Sequence, residues 1–138
     1  LNDCASPNDW VMVHDAVRPV LTHELIDKLL MMLAEHTVGG LLGVPAVDTV
    51  KSVNTQGDVL ETLPRESIWR AQTPQLFRYE VLFNALKKAV AEGYQVTDES
   101  SAVECLGLSP KMVMGAYSNS KITTPEDLFL FSSRLRQE

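Results

Sequence analysis

The sequence has few of the residues that mark a secreted, zinc-bound or membrane-spanning protein. Its two cysteines, Cys4 and Cys105, are too few and too far apart for a disulfide framework or a zinc site, so a reducing, cytoplasmic location is expected. No apolar run approaches the roughly 20 residues that span a bilayer, and no secretory signal is recognisable. We therefore expect neither a membrane partner nor a structural zinc ion.

Positive charge is also scarce. The 138 residues contain 12 lysines and arginines against 18 aspartates and glutamates, and the formal net charge is −6. This balance disfavours nonspecific nucleic-acid binding, which depends on a basic surface. It is compatible with recognition of a phosphorylated small molecule, because a few well-placed cations are sufficient for that. The apolar content of 45% is ordinary for a globular domain.

A glycine-rich phosphate-binding loop is the third absence. The seven glycines are scattered, and the one cluster, Gly39, Gly40 and Gly43, follows a helical pattern and precedes an apolar run. A helix stop explains Gly39 and Gly40 better than a phosphate loop does. The glycines therefore give no sign of a phosphate-binding loop in this sequence.

Strand and helix patterns alternate along the chain, which favours a single α/β domain over residues 1–138. The apolar runs predict strands at residues 10–14, 41–46 and 111–116. The helical patterns predict helices at residues 22–36 and 79–92, a third that begins near 97 and a last that begins near 124. Thr22, Thr97 and Thr124 are the expected N-caps, and Pro125 suits the first helical position.

Residues 49–63 break this alternation. Short β-branched segments flank a turn signal at residues 54–57, Asn-Thr-Gln-Gly, and the combination predicts a β-hairpin. The segment is too polar for a core element, so we expect it to project from the domain. Because a two-stranded hairpin is only marginally stable alone, it needs a partner, and a second copy of the chain is the simplest one.

The most informative segment is His-Asp-Ala-Val-Arg-Pro at residues 14–19, at the end of the first predicted strand. In open α/β sheets, ligands bind beyond the carboxyl ends of the strands. Asp15 can hold a divalent metal through its carboxylate oxygens, and Arg18 can bind a phosphate. The alternative is a plain turn with a solvated arginine, and these residues alone do not decide between the two.

Four further segments follow the hexapeptide in order. They are Val-Pro-Ala-Val-Asp-Thr-Val-Lys at 44–51, Pro-Arg-Glu-Ser-Ile-Trp-Arg-Ala-Gln-Thr-Pro-Gln-Leu-Phe at 64–77, Thr-Asp-Glu-Ser-Ser-Ala at 97–102 and Ser-Asn-Ser-Lys-Ile-Thr-Thr-Pro-Glu-Asp-Leu at 118–128. Together the set resembles the 2-C-methyl-D-erythritol 4-phosphate cytidylyltransferase family of the non-mevalonate route to isoprenoids. The resemblance implies part of a Rossmann-like nucleotidyltransferase domain and a homodimer, in which the hairpin arm, here 49–63, crosses to the partner subunit.

The family opens with a glycine-rich loop and a Pro-Lys-Gln segment that hold the nucleotide, and this sequence contains neither. We therefore interpret the chain as the C-terminal part of a longer enzyme and expect it to be inactive alone. The implied reaction transfers CMP from CTP to 2-C-methyl-D-erythritol 4-phosphate and releases pyrophosphate. Mg²⁺ is the implied cofactor. It is expected to arrive through CTP and to lie near Asp15, with no residue firmly assigned as its ligand.

The resemblance also implies roles for individual residues. Arg65 and Lys121 would position the acceptor phosphate for attack. The remaining positions that match substrate-binding residues of the family are Asp15, Ala16, Arg18, Thr49, Thr73 and Thr97. Thr49 would reach the partner's acceptor site from the hairpin. Structural alternatives are a solvated charge for Arg65, a plain turn at Thr73 and a helix cap alone for Thr97.

Two other functions stay open at this point. One is a related cytidylyltransferase that acts on another polyol phosphate, such as ribitol phosphate, although the segment at 97–102 favours the methylerythritol enzyme. The other is a binding or dimerisation module without catalysis. The presence of a glycine-rich loop upstream of Leu1 in the coding sequence would favour the enzyme over the module.

Overall fold

The computed structural model describes residues 4–135, so the ends of the predicted domain, residues 1–3 and 136–138, lie outside the described residues. The strands are β1 (Trp10–Val13), β2 (Gly39–Pro45), β3 (Lys51–Val53), β4 (Val59–Thr62), β5 (Trp69–Arg78) and β6 (Lys111–Met114). The helices are α1 (His23–Leu33), α2 (Tyr79–Glu92), α3 (Glu99–Glu104) and α4 (Pro125–Leu135). None of the helices described is long and apolar enough to cross a membrane. The α/β class is confirmed.

The centre of the fold is a mixed sheet with the strand order β1-β5-β2-β6. Strand β5 runs antiparallel to both β1 and β2, whereas β2 and β6 are parallel. Successive side chains of a strand point to opposite faces, and neighbouring residues of β5 therefore serve two cores. Leu76 packs with α1 residues such as Leu29, and Phe77 packs with Leu82 of α2 and Val103 of α3. The sheet thus carries α1 on one face and α2 with α3 on the other.

Strand β5 is absent from the sequence predictions, which allow only a turn at Thr73 and Pro74. In the structure both residues lie inside a ten-residue strand, joined by a cis peptide bond, and residues 72–77 are all buried. The turn interpretation is therefore wrong. Proline is normally confined to strand edges and bulges, so it argued against a central strand.

Gly39 and Gly40 do not stop a helix; they begin β2, and α1 ends earlier, at Leu33. The sequence interpretation of this pair is wrong. A Cβ on Gly40 would overlap the carbonyl of Lys111 in β6, and a Cβ on Gly39 would overlap the carbonyl of Leu76 in β5. These glycines therefore allow close approach between backbones.

Two of the three predicted threonine caps are confirmed. The Thr22 hydroxyl accepts a hydrogen bond from Leu25 N–H at the start of α1. At the start of α4, the Thr124 hydroxyl accepts from Asp127 N–H, and the Asp127 carboxylate accepts in return from Thr123 and Thr124 N–H. These two backbone donors lower the pKa of the Asp127 carboxyl from 3.8 to about 2.

The third predicted cap is wrong, because Asp98 and not Thr97 is the N-cap of α3. The Asp98 carboxylate accepts a hydrogen bond from Ser101 N–H at 2.8 Å, and the Ser101 hydroxyl accepts from Asp98 N–H at 3.2 Å. This reciprocal pair is a capping box. Aspartate is as good an N-cap as threonine, so propensity did not separate the two neighbours.

The predicted hairpin is confirmed. Strands β3 and β4 pair only with each other among the described strands, and they form a separate two-stranded sheet. In the turn, the Asn54 side-chain oxygen accepts hydrogen bonds from Gln56 and Asp58 N–H at 3.0 and 2.9 Å. The arm carries exposed apolar side chains, notably Val59 and Leu60 at 60% and 63% exposure. It therefore lacks a core of its own.

Candidate active site

A cavity of about 370 Å³ opens where the chain leaves β1, and we name it the Asp15 cavity. Five of the eight predicted site residues line it: Asp15, Arg18, Thr73, Thr97 and Lys121. The remaining lining residues are Ala71, Gln72, Gln75, Asp98 and Glu99. Residues from four separate predicted motifs are therefore brought together by the sheet.

The turn that carries Asp15 is held by hydrogen bonds to β5. The Thr73 hydroxyl accepts from Asp15 N–H at 2.9 Å and lies 2.9 Å from His14 Nδ1. The other ring nitrogen of His14 lies 3.1 Å from the Arg18 carbonyl oxygen. These two contacts hold the imidazole between Thr73 of β5 and the end of the turn. His14 is thus a hydrogen-bonded structural residue, and Thr73 holds the turn.

One carboxylate oxygen joins the two cations of the cavity. Asp15 Oδ2 lies 3.3 Å from Arg18 Nε and 3.4 Å from Lys121 Nζ. The Arg18 side chain is only 11% exposed, and its Nη1 donates to the Asn119 carbonyl at 2.8 Å. The Lys121 side chain is 46% exposed. Arg18 is therefore fixed in place, whereas the ammonium of Lys121 is free to turn toward a ligand.

Two buried polar residues that sequence reasoning did not identify hold the segment leading to Lys121. Gln72 Nε2 donates to the carbonyls of Ala116 and Asn119 at 2.8 and 3.2 Å. Asn119 Nδ2 donates to the Thr73 carbonyl at 2.8 Å. Gln72 belongs to the Gln-Thr-Pro-Gln motif, which is the sequence signal that could have identified it. Its burial follows from its position in β5, a strand that the sequence did not predict.

Three predicted site residues lie elsewhere. Ala16 is exposed and does not line the cavity. Thr49 and Arg65 lie at the base of the hairpin, where both are exposed and Arg65 Nη1 donates to the Val47 carbonyl at 2.7 Å. Within one subunit, the structure therefore does not bring Arg65 to Lys121.

A second cavity of about 330 Å³ adjoins the Asp15 cavity and shares Arg18, Ala71, Gln72 and Lys121 with it. Arg70 also lines the second cavity, and its guanidinium carbon lies 5.8 Å from the centre of the Tyr117 ring. Three cations therefore line this space, in a chain whose overall charge is negative. Such local cations suit a phosphorylated small molecule rather than a nucleic acid.

The donor set does not form a metal site of its own. Within residues 4–135, no group of three or more His, Cys, Asp or Glu side chains is arranged to hold a metal ion. Asp15 is the best-placed carboxylate, but one of its oxygens already contacts two cations. Protein-bound Mg²⁺ commonly relies on one or two carboxylates together with substrate phosphates. The residues present therefore do not fit a resident magnesium ion.

Comparison with known proteins identifies close relatives. The curated 2-C-methyl-D-erythritol 4-phosphate cytidylyltransferases of Nitrosomonas eutropha and Pseudomonas aeruginosa are 52% and 53% identical to this chain over 129 and 124 residues. The matches cover 94% and 90% of this chain but 54% and 53% of those proteins. The chain thus spans about half the length of the curated relatives it matches.

Solved structures and a family model agree with these relatives. The crystal structure of the Francisella tularensis 2-C-methyl-D-erythritol 4-phosphate cytidylyltransferase is 39% identical, with a TM-score of 0.87, over 96% of this chain and 62% of that one. The predicted nucleotidyltransferase fold is therefore confirmed. The family model matches residues 1–137. From this match, the chain belongs to the 2-C-methyl-D-erythritol 4-phosphate cytidylyltransferase family.

Proposed function

We propose that this chain supplies the acceptor side of the active site of an enzyme that transfers CMP from CTP to 2-C-methyl-D-erythritol 4-phosphate. The observation that carries the proposal is the half-exposed Lys121 ammonium beside Asp15 in a polar cavity. The names of the relatives support the substrates, since they are called 2-C-methyl-D-erythritol 4-phosphate cytidylyltransferases.

The proposed reaction needs no side-chain nucleophile. An oxygen of the acceptor phosphate attacks the α-phosphorus of CTP, a new phosphorus–oxygen bond forms, and pyrophosphate leaves with the electrons of the broken bond. The protein's task is to hold two anions together and to stabilise the charge on the phosphoryl oxygens. Mg²⁺ belongs to this proposal only as an ion that arrives with CTP and offsets phosphate charge.

Lys121 and Asp15 bind different groups of the acceptor. A phosphate that approaches the pair is attracted by the ammonium and repelled by the carboxylate, so Lys121 turns from Asp15 to the phosphate. The freed Asp15 carboxylate then accepts hydrogen bonds from the hydroxyl groups of the polyol. Arg18 keeps Asp15 oriented through its contact at 3.3 Å. Thr97, which also lines the cavity, offers a hydroxyl to the acceptor.

The homodimer is part of the same proposal. Arg65 can share the acceptor phosphate with Lys121 only if it comes from another subunit, because it does not line the cavity of its own. The hairpin that precedes Arg65 pairs with no other described strand and exposes Val59 and Leu60. We propose that this arm packs on a second copy and delivers Thr49 and Arg65 to that copy's cavity. The cytoplasmic location stays a prediction.

The test of the activity is a coupled assay for pyrophosphate release, with protein extended to the length of the relatives. We expect release that requires both CTP and 2-C-methyl-D-erythritol 4-phosphate. Faster release with ribitol 5-phosphate would contradict the assigned acceptor and favour the related polyol-phosphate enzyme. If folded protein releases no pyrophosphate with either acceptor, the non-catalytic module would be favoured.

The arm has its own prediction. Replacing residues 52–60 with a short Gly-Ser linker should convert the dimer to a monomer, because it removes the exposed apolar side chains of the hairpin. Static light scattering measures the mass. Met31→Lys on α1 is a suitable control, because Met31 is equally apolar and 74% exposed but lies outside the arm. A linker variant that stays dimeric would contradict the role of the arm.

A further inference from the structure

Gln75 of β5 is a buried polar residue without an assigned function. Gln75 is 1% exposed, yet it is one of the residues that line the Asp15 cavity. Burying an amide is unfavourable unless both its donor and its acceptor find partners. Its partners therefore indicate what the residue does.

Both ends of the Gln75 amide are hydrogen bonded to the start of α3. Nε2 donates to the Asp98 carboxylate at 2.9 Å, and Oε1 accepts from Ser100 N–H at 2.8 Å. Asp98 is the N-cap of α3, and its other carboxylate oxygen accepts from Ser101 N–H. The amide thus ties the cap and the first turn of α3 directly to the central sheet.

Thr97 comes directly before the Asp98 cap, and its backbone N–H donates to the Ser101 hydroxyl at 3.1 Å. It is exposed at the cavity, and its own hydroxyl makes only a long contact of 3.4 Å with the Ser101 hydroxyl. The rest of α3 is held by apolar packing, in which Ala102 and Val103 join Leu82 and Ala85 of α2, and its C-cap carbonyl at Cys105 accepts from Lys88 Nζ at 3.0 Å. Apolar contacts are non-directional, whereas the two hydrogen bonds of Gln75 define a distance and an angle.

We propose that Gln75 is a positioning residue that sets the distance between the Thr97 wall of the cavity and the wall formed by Asp15 and Lys121. It thereby tunes the affinity for the acceptor through the position of Thr97. This inference rests on the proposed function, because it assumes that the acceptor occupies the Asp15 cavity. The nucleotide side of the reaction should be insensitive to Gln75.

The test is Gln75→Met, which keeps the length and approximate volume of the side chain but removes the two hydrogen bonds to α3 and a longer one, of 3.5 Å, to the Gln72 carbonyl. In protein of the relatives' length, the KM for 2-C-methyl-D-erythritol 4-phosphate should rise about tenfold, whereas kcat and the KM for CTP should change less than about twofold. In a Thr97→Val background, the same substitution should raise the acceptor KM by less than about twofold, because its effect passes through Thr97.

Val103→Ala is the matched control. It loosens the apolar attachment of α3 and lowers the melting temperature, but it keeps both hydrogen bonds of Gln75. Its acceptor KM should therefore stay near that of the unmodified protein. An equal rise in acceptor KM for Val103→Ala and Gln75→Met would overturn the proposal, and so would fully additive effects with Thr97→Val.

Hydrogen exchange separates this inference from the proposed function. Gln75→Met should speed exchange of the Ser100 amide, which loses its acceptor, whereas Val103→Ala should affect it less. An unchanged Ser100 amide would overturn the positioning role. If the Ser100 amide responds and the protein transfers CMP to no acceptor, the proposed function fails and the tuning of acceptor affinity fails with it.

Discussion

Lys121→Ala, in protein extended to the relatives' length, is expected to lower kcat/KM for 2-C-methyl-D-erythritol 4-phosphate by roughly 10- to 150-fold. A charge-assisted contact to the acceptor phosphate contributes about 1.5–3 kcal/mol, and the substitution removes it. The loss should appear mainly with the acceptor, because the chain shows no loop for the CTP phosphates. Steady-state kinetics with each substrate varied in turn measure both effects.

Stability should hardly change in the same variant. The Lys121 side chain is 46% exposed and its ion pair with Asp15 is partly solvated, so it contributes little to folding. Lys87→Ala is a suitable control, since Lys87 is an exposed lysine on α2. A Lys121→Ala enzyme that keeps full activity, or loses CTP binding and acceptor binding equally, would remove Lys121 from the acceptor site.

The elements that could be predicted are those specified by local signals. Helix α2 occupies residues 79–92, as its periodicity predicts, and it ends at Gly93 with a left-handed φ of 68°. The hairpin turn at 54–57 is stabilised by its own Asn54 side chain. In both cases the residues that determine the structure are neighbours in sequence.

The elements that could not be predicted depend on partners far away in sequence. The sequence around Gly40 predicts a helix stop. Only the position of β6 shows that the absence of a Cβ at Gly40 leaves room for the Lys111 backbone carbonyl. Pro74 disfavours a strand locally, yet β5 is the strand that pairs with both β1 and β2. Local propensity is a weak prior at such positions, because tertiary packing overrides it.

The candidate site divides in the same way. Asp15 and Lys121 were identifiable from motifs, and the structure places them 3.4 Å apart. Gln75 lies within the Gln-Thr-Pro-Gln motif, but its hydrogen bond is to the carboxylate of Asp98. The sequence pattern predicts Thr97 as the N-cap of α3, whereas Asp98 is the N-cap in the structure. Buried polar networks of this kind are not visible in sequence, because burial itself is a tertiary property.

The second large effect concerns which subunit supplies Arg65 to an acceptor site. Arg65→Ala and Lys121→Ala should each strongly impair a homodimer, because each removes one cation from both acceptor sites. In a hybrid of the two variants, one site combines an intact Lys121 with an intact Arg65 from the other subunit. The second site lacks both cations. Combination of two defective subunits should therefore restore one working site.

Co-expression with two different affinity tags allows the hybrid to be purified and assayed. It should show about half the activity of the unmodified dimer, since one of two sites is intact, whereas either parent homodimer stays severely impaired. A hybrid that carries both substitutions in the same subunit is the matched control, because each of its sites lacks one cation and neither works. If the purified hybrid shows no recovery, each cavity must take both cations from one subunit, and the arm's catalytic contribution to its partner would be refuted.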